Sequence, residues 1–300
     1  RFVAFLFGLA QADHAQIETT MRAAYLGLNY QILGRHFVSE PGILPEAGKG
    51  MGALLQRVAY LIDLYKQRIG REQEDEYEAI GDELREIQAY KDRSGKQALA
   101  NFVPLLRRIA QHTEPNAKSD YSGTELAVIV VGMIAGTIGN VQASVAIAMN
   151  ELFKDSVVFE SAHDAAGESR LGEKAGDEKL QALIWEALRL NPPVAFLPRK
   201  TNKALRLGTF AIPQDRIVIL AMGGATREGL GNSDQFRGDR NHYDPLIFGG
   251  PPGGGGHIHQ CIGQHLALPL ITHIVRQVLL LPGLTQCLDP RTAEPMRLEK

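Results

Sequence analysis

The 300-residue chain has few cysteines, little net charge and no long hydrophobic run, and each shortage excludes a class of protein. Two cysteines, Cys261 and Cys287, cannot build a disulfide scaffold, so a reducing, cytoplasmic location is expected. A net charge of −2 without a basic tract argues against a nucleic-acid partner. The longest apolar runs, residues 2–10 and 126–138, are shorter than the roughly 20 residues that a bilayer requires, so no membrane span is expected.

Hydrophobic periodicity predicts a mainly helical protein with small β-sheets. Helices are predicted over residues 13–33, 51–68 (after breaks at Pro45 and Gly48), about 120–153, 177–190 and 262–281. Residues 194–220 alternate as strands do, with turns at Gly208 and residues 213–215. Residues 223–256 are predicted to be mostly loop. Neither a repeat nor an internal boundary is evident, so a single domain over residues 1–300 is expected.

The predicted helix over residues 120–153 is apolar on nearly all sides and should therefore pass through a core. Ser122 or Thr124 is a suitable N-cap, and Glu125 follows Ser122 at the spacing of a capping box. The helix also contains Gly132, Gly136 and Gly139. Each glycine costs about 1 kcal/mol against alanine. Close helix packing and a large flat ligand lying against the backbone explain these glycines equally well.

A glycine-rich loop over residues 248–263 brings Cys261 to the start of the helix predicted for residues 262–281. The positive end of the helix dipole and its free N–H groups stabilise a thiolate as a ligand. Flexible glycines before Cys261 allow backbone N–H groups to approach the sulfur, and such hydrogen bonds tune a metal thiolate.

Three other interpretations of this loop remain open. A zinc site of Cys261 with His257, His259 and His265 has suitable ligands but lacks a paired C-x-x-C or H-x-x-x-H spacing. A phosphate-binding loop is unsupported because no Gly-Lys-Ser/Thr follows the glycines. A plain linker of glycine and proline is the third interpretation.

Two distant features favour metal chemistry at Cys261. Glu186 and Arg189 form an E-x-x-R on a predicted helix, and Arg240 lies between the strands and the cysteine loop. In this order and at these separations they resemble the signature of the cytochromes P450. Similar matches extend from Arg189 to Arg199 (R-x-x-P-P-V-x-x-x-x-R) and over residues 5–13, 208–218 and 225–236, so the resemblance covers nearly the whole chain.

The resemblance implies a cytochrome P450 fold, mainly α with small β-sheets, whose N-terminal part is missing or is supplied by another or a fused segment. It implies haem b as the cofactor, with Cys261 as the iron ligand. Glu186, Arg189 and Arg240 would form a buried triad that fixes the cysteine loop. Arg199 and His259 would meet the haem propionates. The remaining cofactor-binding residues expected from the loop are Phe248, Gly256, His257 and Gly263.

Three departures from the family pattern bear on the chemistry. Gly254 stands where a phenylalanine normally shields the sulfur, with Phe248 further back, and His257 replaces a loop glycine. The helix over residues 120–153 resembles the distal I helix, in which Thr137 matches the oxygen-activating threonine. Gly136 replaces the acid beside that threonine, so proton delivery needs another relay, such as water.

Asn140, with the amide-bearing residues around it, resembles helices of cytochromes P450 that rearrange fatty-acid hydroperoxides. Alternatively, these polar side chains only bond within the helix. The expected function is therefore a haem- and iron-dependent oxidoreductase, a monooxygenase of a small apolar molecule served by a ferredoxin or reductase. A peroxide- or hydroperoxide-using enzyme without a reductase is the second hypothesis. A non-catalytic haem-binding or degenerate fragment is the third.

Overall fold

The structure is a computed structural model that describes residues 7, 15, 17–20, 43–68, 105–111, 121–240, 245–250, 260–288, 292 and 295. The chain forms two compact units, Arg1–Gly139 and Asn140–Lys300. The expectation of a single domain stays a prediction.

The first unit is helical at almost every residue that the structure describes. Helix α1 is Ile43–Arg68, α2 is Leu105–Gln111, and α3, Gly123–Leu152, begins here. The prediction that α1 starts at residue 51 is wrong, since the helix begins at Ile43. Pro45 does not break it, because Pro45 lies in the first turn, where a missing N–H removes no helical hydrogen bond. The core joins side chains of all three helices, including Leu54, Val58, Ile62, Leu106, Ala110, Val130 and Ile134.

The start of α3 has the predicted capping box. The Ser122 hydroxyl accepts a hydrogen bond from the Glu125 backbone N–H at 3.3 Å. The Glu125 carboxylate in turn accepts the Ser122 backbone N–H at 2.8 Å. These bonds satisfy two amide groups that a helix start otherwise leaves without a helical partner. The first of the two predicted caps, Ser122, is therefore confirmed, and α3 starts at Gly123 rather than near residue 120.

One side of α3 is open in the described structure, although its apolar surface on nearly all sides predicted a helix that passes through a core. Val130 and Ile134 are buried, whereas Val128 is 55% and Ile129 is 46% exposed. An 18-residue window of α3 has a mean hydropathy of 1.8, and only 33% of that window is buried. By length and composition α3 therefore passes as a membrane span, which the search for uninterrupted apolar runs missed. Length and composition do not separate such a span from the core helix of a soluble fold.

In the described part of the second unit, three helices pack with the C-terminal end of α3 around one core. They are α4, Ser156–Arg170; α5, Lys174–Leu190; and α7, Gln264–Leu279. The sequence predicts no helix at α4, places the start of α5 three residues late, and extends α7 two residues at each end. Their core includes Leu152, Ala162, Ala166, Leu180, Ile184, Leu188, Ile271 and Val275.

Two small antiparallel sheets follow α5, as the alternating pattern predicts. Strand β1, Phe196–Lys200, pairs with β4, Ile217–Ala221. Strand β2, Leu205–Leu207, pairs with β3, Phe210–Ile212. Both predicted turns are confirmed, with left-handed φ angles of 58° at Gly208 and 63° at Asp215. The short helix α6, Met222–Ala225, and a 3-10 turn, Pro245–Phe248, interrupt the long predicted loop.

Candidate functional site

A buried ion pair lies in the last turns of α5. Glu186 and Arg189 are three residues apart, so their side chains lie on the same face of the helix. The Arg189 Nε and Nη2 donate to the two Glu186 carboxylate oxygens at 2.7 and 2.8 Å. Glu186 is 2% and Arg189 is 1% exposed, so water does not screen the pair. This bidentate geometry is the strong form of an arginine–carboxylate contact.

The same carboxylate holds a distant part of the chain. The Arg240 Nε donates to Glu186 Oε1 at 3.1 Å, and the Arg237 backbone N–H donates to that oxygen at 2.9 Å. The structure therefore brings the predicted triad of Glu186, Arg189 and Arg240 together. Its guanidinium groups also donate to backbone carbonyls of Gly231 (3.0 Å), Asn232 (2.8 Å) and Ser233 (2.8 Å). Residues 231–240 are thus fixed to α5 by both side-chain and backbone bonds.

Two further residues secure the C-terminal end of α5, and sequence reasoning gave them no role. The buried Thr226 hydroxyl donates to the Arg189 carbonyl at 2.8 Å, and Arg227 Nη2 donates to the Leu190 carbonyl at 2.6 Å. The last carbonyls of a helix lack helical partners, and the following Pro192 and Pro193 have no N–H to offer. That proline pair was the signal that side chains from elsewhere must satisfy these carbonyls.

Cys261 lies three residues before α7, with its side chain exposed. Its backbone N–H donates to the Phe248 carbonyl at 2.8 Å, and its carbonyl accepts the Gln264 N–H at 3.3 Å. The Phe248 ring lies 5.6 Å from the Trp185 ring on α5. A Cβ added at Gly263 would lie 3.7 Å from the Cys261 sulfur, an ordinary contact distance. The structure therefore brings Phe248, Cys261 and Gly263 together.

The other predicted loop residues, Gly256, His257 and His259, lie outside the described residues. Their cofactor-binding roles stay predictions. Among the residues that the structure does describe, no three histidine, cysteine or carboxylate side chains group as a metal site would require. The zinc interpretation depends on His257 and His259 and is therefore not tested by the structure.

The predicted distal residues lie on α3. The Thr137 hydroxyl donates to the Met133 carbonyl at 2.8 Å, four residues earlier on the helix. Gly136 is exposed, and a Cβ added there would meet no described atom within 4 Å. Asn140 is also exposed. Open space at Gly136 argues against close packing with another described helix as the reason for this glycine.

Arg199, the residue expected to meet a haem propionate, lies on β1. Its side chain is exposed, and Nη1 donates to the Pro198 carbonyl at 2.9 Å. Its backbone pairs with Val218 of β4. The strand thus fixes its backbone, while the exposed guanidinium retains donors for an anionic group.

Comparison with known proteins matches the sequence pattern of the cytochrome P450 family to residues 53–281. The (+)-vincadifformine 19-hydroxylase of Catharanthus roseus is 26% identical over 166 residues, which are 52% of this chain and 33% of that protein. The beta-dihydromenaquinone-9 omega-hydroxylase of Mycobacterium bovis is 30% identical over 115 residues, 38% of this chain and 22% of that protein. The chain thus spans a third or less of the length of these two relatives.

Solved structures agree on the fold. The cytochrome P450 PksS of Bacillus subtilis superposes with a TM-score of 0.66 at 16% identity, over 97% of this chain and 60% of that one. The open form of cytochrome P450 EryK from S. erythraea gives a TM-score of 0.64 at 18% identity, over 92% of this chain and 56% of that one. Fold and sequence pattern together define a mainly α protein with small sheets, of the haem-protein class. The chain belongs to the cytochrome P450 family, and membership implies a haem cofactor.

Proposed function

We propose that this protein is a haem-thiolate monooxygenase that inserts oxygen into a small apolar molecule, with Cys261 as the iron ligand. The observation that carries the proposal is the exposed Cys261 thiol just before α7, in a chain of this family. The hydroxylase names of two relatives support it at the level of reaction class.

The residues around Cys261 fit an iron porphyrin. The thiol is exposed and so open to a large ligand, and Gly263 beside it adds no side chain. A single soft sulfur donor suits an iron whose other ligands come from a macrocycle. We propose haem b in particular, because the sequence has no C-x-x-C-H by which haem is attached covalently.

The chain's own residues would hold and tune this ligand. When bound, the haem supplies oxygen activation, which a thiolate ligand promotes. Cys261 precedes the N-terminal end of α7, whose helix dipole would favour an anionic ligand there. The hydrogen bond to the Phe248 carbonyl fixes the Cys261 backbone. Arg199 and His259 would bind the propionates, and the triad of Glu186, Arg189 and Arg240 would keep the segment before the loop in place.

A second candidate function is peroxide- or hydroperoxide-dependent chemistry without a reductase. The specific observation is at Thr137, whose hydroxyl donates within α3 to Met133, while Gly136 offers no carboxylate beside it. A proton relay for oxygen activation would therefore lack the carboxylic acid that usually stands beside this threonine in the family. A substrate that already contains an O–O bond needs neither that relay nor external electrons. Asn140, exposed on α3, would hold such a peroxide by its amide.

The proposed partners follow from the reaction. Monooxygenation consumes two electrons and two protons for each oxygen atom inserted, and the other atom of dioxygen leaves as water. A ferredoxin or reductase would supply these electrons. We also propose a cytoplasmic location, because a reducing compartment keeps the exposed Cys261 and Cys287 as thiols.

Oxygen labelling separates the two candidate functions. The haem-loaded protein is supplied with small apolar substrates, an electron donor system and labelled dioxygen. Monooxygenation predicts one labelled oxygen atom in the product and no product without electrons. Product formed from a lipid hydroperoxide without an electron donor would support the second candidate. Absence of product under both conditions, from folded haem-loaded protein, would favour the non-catalytic hypothesis instead.

A further inference from the structure

The strand region of the second unit concentrates exposed apolar side chains. Eight of the eighteen exposed large hydrophobic side chains that the structure describes fall within residues 194–220. Among the most exposed are Leu207 at 66% and Phe210 at 74%, on either side of the Gly208–Thr209 turn. Scattered surface leucines are ordinary, but such a concentration marks an interaction surface.

The hairpin of β2 and β3 has an apolar face. Leu205 is paired with Ile212 and Leu207 with Phe210, so these four side chains share one face of the hairpin. Arg206 and its partner Ala211 lie on the opposite face. Both strands are exposed apart from the half-buried Ile212. The left-handed φ of 58° at Gly208 makes the tight turn that places Leu207 and Phe210 at the tip.

The same region is strongly basic although the whole chain is slightly acidic. Residues 194–220 contain one acidic residue, Asp215, and five basic residues, Arg199, Lys200, Lys203, Arg206 and Arg216. Asp215 is itself neutralised by Lys200, whose Nζ lies 3.0 Å from its carboxylate. The net charge of the complete chain is −2. The remainder of the protein is therefore negative overall, whereas the strand region carries a net positive charge that attracts anions.

We propose that the β2–β3 hairpin docks the protein on an anionic lipid surface. Leu207 and Phe210 enter the boundary between headgroups and acyl chains, and the long side chains of Lys203 and Arg206 reach anionic headgroups. Repulsion of the acidic remainder sets the orientation. The cytoplasmic leaflet carries such anionic lipids, so the surface agrees with the proposed cytoplasmic location. The inference does not depend on the haem or on the reaction.

Vesicle sedimentation tests the proposal. The protein should bind vesicles of phosphatidylcholine with phosphatidylglycerol more tightly than vesicles of phosphatidylcholine alone, and added salt should weaken that binding. The double variant Leu207→Ser/Phe210→Ser should bind these vesicles at least about tenfold more weakly than the original protein, because it loses apolar area that enters the bilayer. Lys203→Gln/Arg206→Gln should lose most of the preference for anionic vesicles.

Leu171→Ser is the matched control. Leu171 is 79% exposed at the end of α4, so its replacement removes a comparable apolar side chain elsewhere and should leave vesicle binding unchanged. All the substituted side chains are exposed, and the unfolding midpoints of the variants should match that of the original protein. Equal binding of the hairpin double variant and the original protein would overturn the proposal.

Fluorescence locates the contact. The only tryptophan, Trp185, is 8% exposed and should not respond to vesicles. Phe210→Trp adds a reporter at the hairpin tip, whose emission should shift to the blue and be quenched by brominated lipid. If an acidic protein or another polypeptide segment covers the hairpin instead, this emission will not change on addition of vesicles, and the lipid proposal fails.

Discussion

Glu186 is the residue on which most of the described site depends. One carboxylate accepts hydrogen bonds from Arg189, Arg240 and the Arg237 backbone, and it is almost fully buried. A buried charge is tolerated only when its partners are in place. The sequence predicted this grouping from an E-x-x-R and a later arginine. It did not predict the backbone bonds to residues 231–233, because spacing alone does not say which carbonyls a guanidinium will reach.

We predict that Glu186→Gln lowers the free energy of unfolding by about 3–5 kcal/mol, because two arginines lose their shared carboxylate. Urea unfolding measures the change. Glu178→Gln removes a carboxylate that pairs with Lys174 at 3.0 Å and is 63% exposed. This control should change the stability by no more than about 0.5 kcal/mol. If Glu186→Gln lowers the free energy of unfolding by as little as the control does, the buried cluster does not stabilise the fold.

At the scale of single elements, the sequence predicts strongly periodic helices well and small-residue helices poorly. Helix α5 has leucine and isoleucine on its buried face and was found within three residues of its true start. Helix α4 buries Ala162, Ala165, Ala166 and Ser169, which are too small or polar to give a hydrophobic period. The sequence feature that could have indicated the start of α4 is its N-cap, Asp155, whose carboxylate accepts hydrogen bonds from the Val157 and Val158 backbone N–H groups.

Helices α4 and α5 pack closely against each other at Gly176. A Cβ added at Gly176 would lie 2.6 Å from the Ser169 nitrogen and 2.8 Å from the Ala165 carbonyl oxygen. Backbone atoms cannot move aside cheaply, so Gly176→Ala should destabilise the protein by about 1–3 kcal/mol. Gly167→Ala, in open space on α4, should instead stabilise by up to about 1 kcal/mol. Thermal unfolding measures both, and equal effects would refute the close contact.

The capping box of α3 leads to a prediction about how the stability of the protein depends on pH. Hydrogen bonds from the Ser122 backbone and hydroxyl hold the pKa of Glu125 below its usual value. Because the folded pKa is depressed, the stabilisation is complete above the unfolded pKa of about 4.3 and is lost as pH falls through the folded pKa. Glu125→Gln should therefore reduce the loss of stability on acidification, measured by urea unfolding from neutral to acid pH.

Thr124→Ala is the control for this pH effect, because Thr124 lies beside the capping box and should leave the pH dependence unchanged. Ser122→Ala should cost about 1 kcal/mol of stability at neutral pH, since the helix loses its cap. If Glu125→Gln keeps the acid sensitivity of the original protein, the carboxylate does not contribute to capping in solution.

At the scale of the whole molecule, the family could be predicted from the sequence because its motifs are spread along the chain in a fixed order. The E-x-x-R, Arg240 and Cys261 are individually weak signals, and only their succession is specific. The open side of α3 could not be predicted, because an apolar helix face fits a protein core, a flat ligand or lipid equally well.

The central claim is that Cys261 ligates haem iron, and the spectrum of the reduced protein under carbon monoxide tests it most directly. The folded, haem-loaded protein should give the red-shifted Soret band of a thiolate ligand. Cys287→Ala should keep that band, and Cys261→Ala should lose it. A thiolate band that survives Cys261→Ala, or its absence from the original folded and haem-loaded protein, would contradict the assignment.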